Sequence, residues 1–403
     1  MDALFDQKLM AALFFSAGYN TTLVTIGAAL LGASAGAVGA FMMLRKRSLV
    51  SDAISHATLP GLALAFIVMA LATGDGRFMP GLMLGAALSA WLGLLALEWV
   101  TRRTRLTEDV AIGAVLSVFF GLGVTLLTVI QVMDTGRRAG IGGFLLGSTA
   151  GMLRSEAELI AVAAALCGVA VYVLRRPFTL VSFDPAYAAT QGISVRMTDL
   201  ALLALALIVT VIGLKVAGLV LIVALTILPP VIARFWTNRP GRLPLIAAAV
   251  GAFSAYAGAV ISSLGPGLPT GALIVLVSFA VFVVSLVFSP LRGLLAGQME
   301  MLALRARVHE RQGLLAMARD EPVYDRMTLR VLRRAGFIRA DGVPTPAGHA
   351  AAKAAQREET LWSLYRRLFP DEAAAGGYHG LTPINDALPS DIVRDLEARV
   401  AVH

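Results

Sequence analysis

Apolar and polar positions along this chain are arranged in blocks. Runs of roughly twenty apolar residues, each closed by arginine, glycine or proline, recur from residue 22 to residue 289, as helices crossing a hydrocarbon layer about 30 Å thick would require. The runs fall at about 22–44, 50–72, 80–100, 108–132, 156–174, 243–263 and 270–289. A further apolar stretch, 199–235, is broken at Gly213-Leu214-Lys215 and at Pro229-Pro230 and reads as two short, crowded helices. That makes nine spans, with counts of eight or ten also compatible with the pattern, and the expected fold is an all-α polytopic membrane protein.

The segments between the runs support this reading. Gly27, Gly32, Gly36 and Gly39 in the first span suit close helix packing in lipid. Thr107, Glu108 and Asp109 form the polar, acidic start of the 108–132 helix. Residues 3–16 read as an interfacial helix, Gly74-Asp75-Gly76 as a turn, Asp134–Arg154 as a glycine-rich loop, and Gly265–Gly271 as a stretch no regular helix crosses. The 156–174 span closes on Arg175-Arg176-Pro177, and residues 182–194, amphipathic and too polar to span, read as a short surface helix.

Beyond Pro290 the pattern becomes charged with helical periodicity. Helices at about 300–318 and 321–335 precede Phe337–Pro346, where Asp341-Gly342 sits between extended arms as a hairpin turn would. Two helices and a hairpin point to a small winged-helix-like α+β domain. The expected division is therefore a transmembrane domain over 1–295 and a second domain over 296–403.

Composition agrees: 57% of the residues are hydrophobic. Residues 1–295 carry 19 Lys and Arg against 12 Asp and Glu, whereas the remainder carries 15 against 14, so the basic excess belongs to the membrane part. With the 45–47 turn in the cytoplasm, thirteen Lys and Arg lie near inner ends and six outside. This favours an outside N-terminus and a cytoplasmic tail in a cell (inner or plasma) membrane protein. Met1–Asp6 lacks the positive region of a cleavable signal, so no leader is expected to be removed. Cys167 stands alone, which excludes a disulfide within the chain and a thiolate cluster. No Gly-x-x-x-x-Gly-Lys-Ser/Thr loop occurs, so any ATP hydrolysis belongs to a separate subunit and no enzyme is expected here.

Candidate chemistry concentrates in Arg45–Gly61. Asp52 and His56, four apart, project from one helix face, and His56 is the only histidine before residue 300. Pro60 cannot donate to the carbonyl of His56, which predicts a kink and a freed acceptor beside the imidazole. From spacing alone the pair could hydrogen-bond to each other or hold a metal. An ionisable group at the bilayer centre costs about 3 kcal/mol, which weights the pair toward function. Arg326, Arg330, Arg333 and Arg334 could meet phosphates, but a solvated face in a nearly neutral domain is the better reading, so no nucleic acid is expected.

The run Ser48–Gly61 resembles the signature of permease subunits in ABC importers of manganese, zinc and iron, and the likeness extends over roughly residues 20–290. The resemblance implies Asp52 and His56 as metal ligands and a second permease subunit, identical or different, whose own pair would face them. It also implies a separate ABC ATPase, an extracytoplasmic metal-binding protein, and a divalent ion that is cargo rather than a permanent cofactor. Residues 182–194 are similar to the family's coupling helix, which places Phe183, Asp184, Pro185, Tyr187 and Gly192 at the ATPase joint. Gly218–Pro230 is similar to its second broken helix, so that carbonyls freed at Pro60, Pro229 and Pro230 could line the path or bond to neighbouring helices. The Asp52–Gly61 form is closer to the manganese and iron branch, which favours manganese. Arg357–Tyr365 and Ile384–Glu397 resemble the dimerisation region of iron- and manganese-dependent repressors, but Glu359 and Asn385-Asp386 replace its metal-ligand pattern. A membrane-tethered, metal-responsive transcription regulator is the alternative reading. An intramembrane hydrolase is disfavoured because the motif lacks a third side-chain ligand.

Overall fold

The computed structural model describes residues 18–73, 78–132, 154–265, 268–371 and 381–401. The expected helix at 3–16, the turn at 74–76, the loop from Asp134 and the centre of the 265–271 stretch lie outside them. The chain divides into two compact units between Leu294 and Leu295.

In the first unit the helices are α1 (Tyr19–Leu44), α2 (Val50–Thr73), α3 (Met79–Arg103), α4 (Glu108–Val132), α5 (Arg154–Phe183), α6 (Pro185–Thr190), α7 (Val195–Trp236), α8 (Leu243–Ser263) and α9 (Thr270–Phe288). Eight helical stretches among the described residues are long and apolar enough to cross a membrane, the part of α7 from Val195 to Leu214 being one. The ninth expected segment, Leu221–Trp236, is apolar but shorter, so the described residues hold eight helices of spanning length.

Three local expectations are corrected. The break in α7 falls at Gly218, whose φ of 76° and ψ of 170° leave the helix, not at Gly213–Lys215. Gly213 serves the return of the chain: a Cβ there would collide with the side chain of Ile222. Helix α5 continues through Pro177 to Phe183: proline's φ is helical, and the lost bond and the clash with the carbonyl one turn back are absorbed without ending the helix. Likewise α7 continues through Pro229 and Pro230 to Trp236, so the second expected break does not occur.

Helix α1 is the most enclosed element; it packs against α8, α7 and α5, while α2 packs against α3, α4 and α7. Small residues make these approaches possible. A Cβ on Gly32 would strike the carbonyl of Gly251 in α8, and one on Gly251 would strike the carbonyl of Gly32. Gly61 of α2 and Gly85 of α3 stand in the same relation. The outer faces of α4, α5 and α9 carry exposed Val118, Phe120, Val162, Leu166, Leu276 and Phe279, stable against lipid or a partner and not against water.

The second unit holds α10 (Leu294–Ala318, apart from its first residue), α11 (Arg326–Arg334), α12 (Pro346–Leu368), α13 (Ile384–Ala387) and α14 (Ser390–Ala401). Leu314, Leu332, Ile338 and Ala352 form one small core, and Leu361, Trp362, Tyr365, Ile384 and Leu396 another. Asp325 caps α11 by accepting the Thr328 N–H at 2.7 Å, which holds its carboxyl below the usual range. The expected hairpin turn forms, with Gly342 at φ 87° and Arg339 N–H bonded to the Val343 carbonyl at 2.9 Å. Its arms, however, pair only through an isolated bridge between Ile338 and Pro344, and the described residues contain no β-strand. Pro344 and Pro346 lack the N–H groups a ladder needs. The tail is therefore helical, and the winged-helix α+β expectation does not hold.

Gly32→Val forces a branched side chain against backbone and is expected to destabilise the protein by about 1–3 kcal/mol or more. Gly113→Ala, where nothing lies within 4 Å, is expected to be neutral or to stabilise by up to about 1 kcal/mol. Thermal unfolding of the two purified variants checks the contrast; equal midpoints would contradict the packing account.

Candidate metal centre

The site begins with how α1 ends. Lys46 N–H bonds to the Met43 carbonyl at 3.0 Å and Arg47 N–H to that of Met42 at 2.8 Å, while Lys46 adopts φ 59°. This is a Schellman closure with lysine where glycine is usual. It reverses the chain, and α2 starts at Val50 with Asp52 in its first turn.

Ser51, Ser55 and Thr58 lie on the buried side of α2. Ser55 Oγ donates to the Ser51 carbonyl at 2.8 Å and Thr58 Oγ1 to that of Ser55 at 2.6 Å, so these hydroxyls are satisfied within their own helix. Asp52 and His56 lie toward the rim, their side chains 34% and 19% exposed, with Asp52 Oδ1 3.4 Å from His56 Nε2. The His56 ring stands edge-on to Phe120 of α4, centroids 5.0 Å apart at 86°. Its Nδ1 is buried without a hydrogen-bond partner.

Thus the structure brings Asp52 and His56 together and keeps them accessible. No group of three or more His, Cys, Asp or Glu side chains suited to a metal occurs among the described residues. One carboxylate and one imidazole make half of a four-ligand set. A cavity of about 480 Å³ between α1, α5 and α8, with Tyr172 and Arg175 in its lining, includes neither residue.

The remaining sequence-predicted positions sort by what they touch. Pro60 packs against Gly123 of α4, Pro229 beside Gly251 of α8, and Pro230 beside Gly39 of α1. The Thr226 carbonyl faces Gly39 closely enough to exclude a Cβ there. These prolines sit in packed helix contacts. Phe183, the last residue of α5, and Tyr187 in α6 are 64% and 52% exposed. Asp184 caps that helix, its Oδ1 accepting the Tyr187 N–H at 2.8 Å, Pro185 is its first residue, and Gly192 closes it at φ 77°. In the tail, Glu359 is engaged by Arg311 at 2.9 Å and by Arg366 at 3.3 Å, and Glu358 by Arg311 at 3.3 Å. Arg326, Arg330, Arg333 and Arg334 are exposed.

Sequence reasoning missed a polar network at the α1–α2 turn. Arg45 binds Asp199 at 2.7 Å, Arg47 binds Glu108 at 2.9 Å and Glu98 at 3.4 Å, and Arg102 binds Glu98 at 2.8 Å. The available signal was three carboxylates, Glu98, Glu108 and Asp199, at span ends of a membrane part with few acids.

With the geometry in place, comparison with known proteins is informative. A sequence model of the ABC 3 transport family matches residues 19–289. The manganese transport system membrane protein MntC of Bacillus subtilis is 40% identical over 298 residues, 74% of this chain and 67% of that protein. The zinc transport system membrane protein TroC of Treponema pallidum is 38% identical over 277 residues, 69% of this chain and 91% of that protein. PsaBC from Streptococcus pneumoniae in complex with Fab superimposes with a TM-score of 0.59 at 26% identity, covering 72% of this chain and 97% of that one. The chain is a multi-pass membrane transport protein belonging to the ABC 3 transport family.

Proposed function

We propose that this chain is the permease subunit of an ATP-driven importer of a divalent transition metal, with manganese the favoured ion. The observation that carries the reading is the Asp52–His56 pair at 3.4 Å, rim-exposed on a membrane-spanning helix and short of a complete ligand set. Two chains facing each other supply two carboxylates and two imidazoles. Their two negative charges neutralise one divalent ion, and the mix of oxygen and nitrogen suits manganese, iron or zinc. The names of the relatives, manganese for one and zinc for another, agree with this ion class.

A separate ABC ATPase supplies energy and docks on α6, where Tyr187 and the adjoining Phe183 are exposed. An extracytoplasmic metal-binding protein delivers the ion. The tail lies in the cytoplasm and serves dimer contact or regulation. Truncation after residue 295 is expected to leave membrane insertion intact and to change only the level or control of uptake. Loss of the inserted protein would contradict this.

Asp52→Asn keeps shape and hydrogen bonding but removes the charge that offsets the cation. Stranding a charge in this way costs about 3 kcal/mol or more, so metal affinity is expected to fall roughly a hundredfold. His56→Ala is expected to act alike, whereas Ser55→Ala, on the buried side, is expected to be mild. The quantity to measure is manganese uptake per assembled transporter at low metal concentration. Normal uptake in Asp52→Asn would sink the assignment.

A further inference from the structure

The turn between α1 and α2 does more than reverse the chain. One Arg45 amine, Nη1, donates to the backbone carbonyl of Val181 at 2.8 Å, and the other, Nη2, to Asp199 Oδ2 at 2.7 Å. Val181 is buried in the last turn of α5, three residues ahead of the cap that starts α6. Asp199 lies in the second turn of α7, five residues after its cap Ser194, and is itself buried. A single guanidinium therefore grips the chain on both sides of α6. Through the Schellman turn the same residue leads, seven positions on, to Asp52.

The grip is specific in its chemistry. Planar guanidinium donors can reach a carbonyl and a carboxylate at once, which an ammonium on a flexible stem does not reproduce. The Arg45 and Asp199 side chains are only 17% and 10% exposed, so neither charge has water as a ready substitute. The same carboxylate is shared with a second arginine. Asp199 Oδ2 lies 3.9 Å from Arg47 Nη1, and Arg45 Nε is buried with no partner. Asp199 thus ties both arginines of the turn to the start of α7.

We propose that Arg45 is the positioning residue that transmits movement of α6 to Asp52 and His56. This inference rests on the reading of α6 as the ATPase docking helix. When α6 is displaced, Val181 and Asp199 shift with it, and Arg45 draws the head of α2 along. Arg47, tied to Glu98 of α3 and Glu108 of α4, distributes the motion to the helices packed around α2.

The test is manganese transported per ATP hydrolysed, measured with the permease reconstituted in proteoliposomes together with its ATPase and binding protein. At equal assembly, Arg45→Gln is expected to lower this ratio by at least about fivefold, the lower end of coupling between sites. Manganese affinity of the detergent-purified complex is expected to stay unchanged. Arg45→Lys, keeping the charge but not the fork, is expected to restore the ratio only in part. An unchanged ratio in Arg45→Gln, or uptake that falls only in proportion to assembled transporter, would overturn the inference. Should Arg45→Gln fail to assemble, Asp199→Asn is read by the same ratio, and an unchanged value there overturns it equally. Tyr187→Arg separates the two levels. If it uncouples hydrolysis from transport while Arg45→Gln does not, only the role of Arg45 fails; if Tyr187→Arg also leaves the ratio unchanged, the docking assignment of α6 fails as well.

Discussion

Glycine facing glycine decides how near α2 can come to its neighbours. The backbones of Gly61 and Gly85 approach closely enough to exclude any Cβ, and one turn toward the start of α2 a Cβ on Gly93 would meet the methyl of Ala57. In lipid, where apolar burial offers little between helices, such close approach and its dispersion contacts hold them together. The same contact fixes the rotation of α2 about its axis. With Gly61 and Ala57 turned to α3 and Ser51, Ser55 and Thr58 buried, Asp52 and His56 are left on the partly exposed side next to α4. The placement of this candidate pair is a consequence of that rotation.

For the proposed ion, Asp52 and His56 of one chain are too few ligands. An intramembrane carboxylate and imidazole that completed a site within the chain would be buried among other donors, and the described residues offer no such cluster. A partial set at the rim calls for a second surface bearing the complement. Symmetric pairing provides it with the fewest additional assumptions, since the same residues meet themselves.

Much of the membrane unit was legible from hydrophobic periodicity, because a span needs a length and an apolar composition that few other elements share. The start of α4 at Glu108 could be read residue by residue, since acids and a threonine at a helix N-terminus answer to known backbone groups. Asp52 and His56 were legible as neighbours because four-residue spacing alone brings them together. What escaped depended on partners distant in sequence. Arg45 and Asp199 are 154 residues apart, and the arginines were legible only as inner-end markers. Pro177 was read as a terminator although proline's own φ is helical, and the break in α7 was placed at Gly213, where glycine serves packing against Ile222, and not at Gly218, where it serves conformation. In the tail, the Asp341-Gly342 turn was correct, but Pro344 and Pro346 outweighed it by removing ladder donors.

The central claim is that two copies of Asp52 and His56 meet around one ion. Pulsed electron paramagnetic resonance of Mn(II) bound to the purified permease, with the metal content per chain determined on the same sample, addresses it directly. The account predicts one ion for two chains, with nitrogen coupling from imidazole that disappears in His56→Ala. One ion for every chain, or nitrogen coupling that persists in His56→Ala, would contradict it.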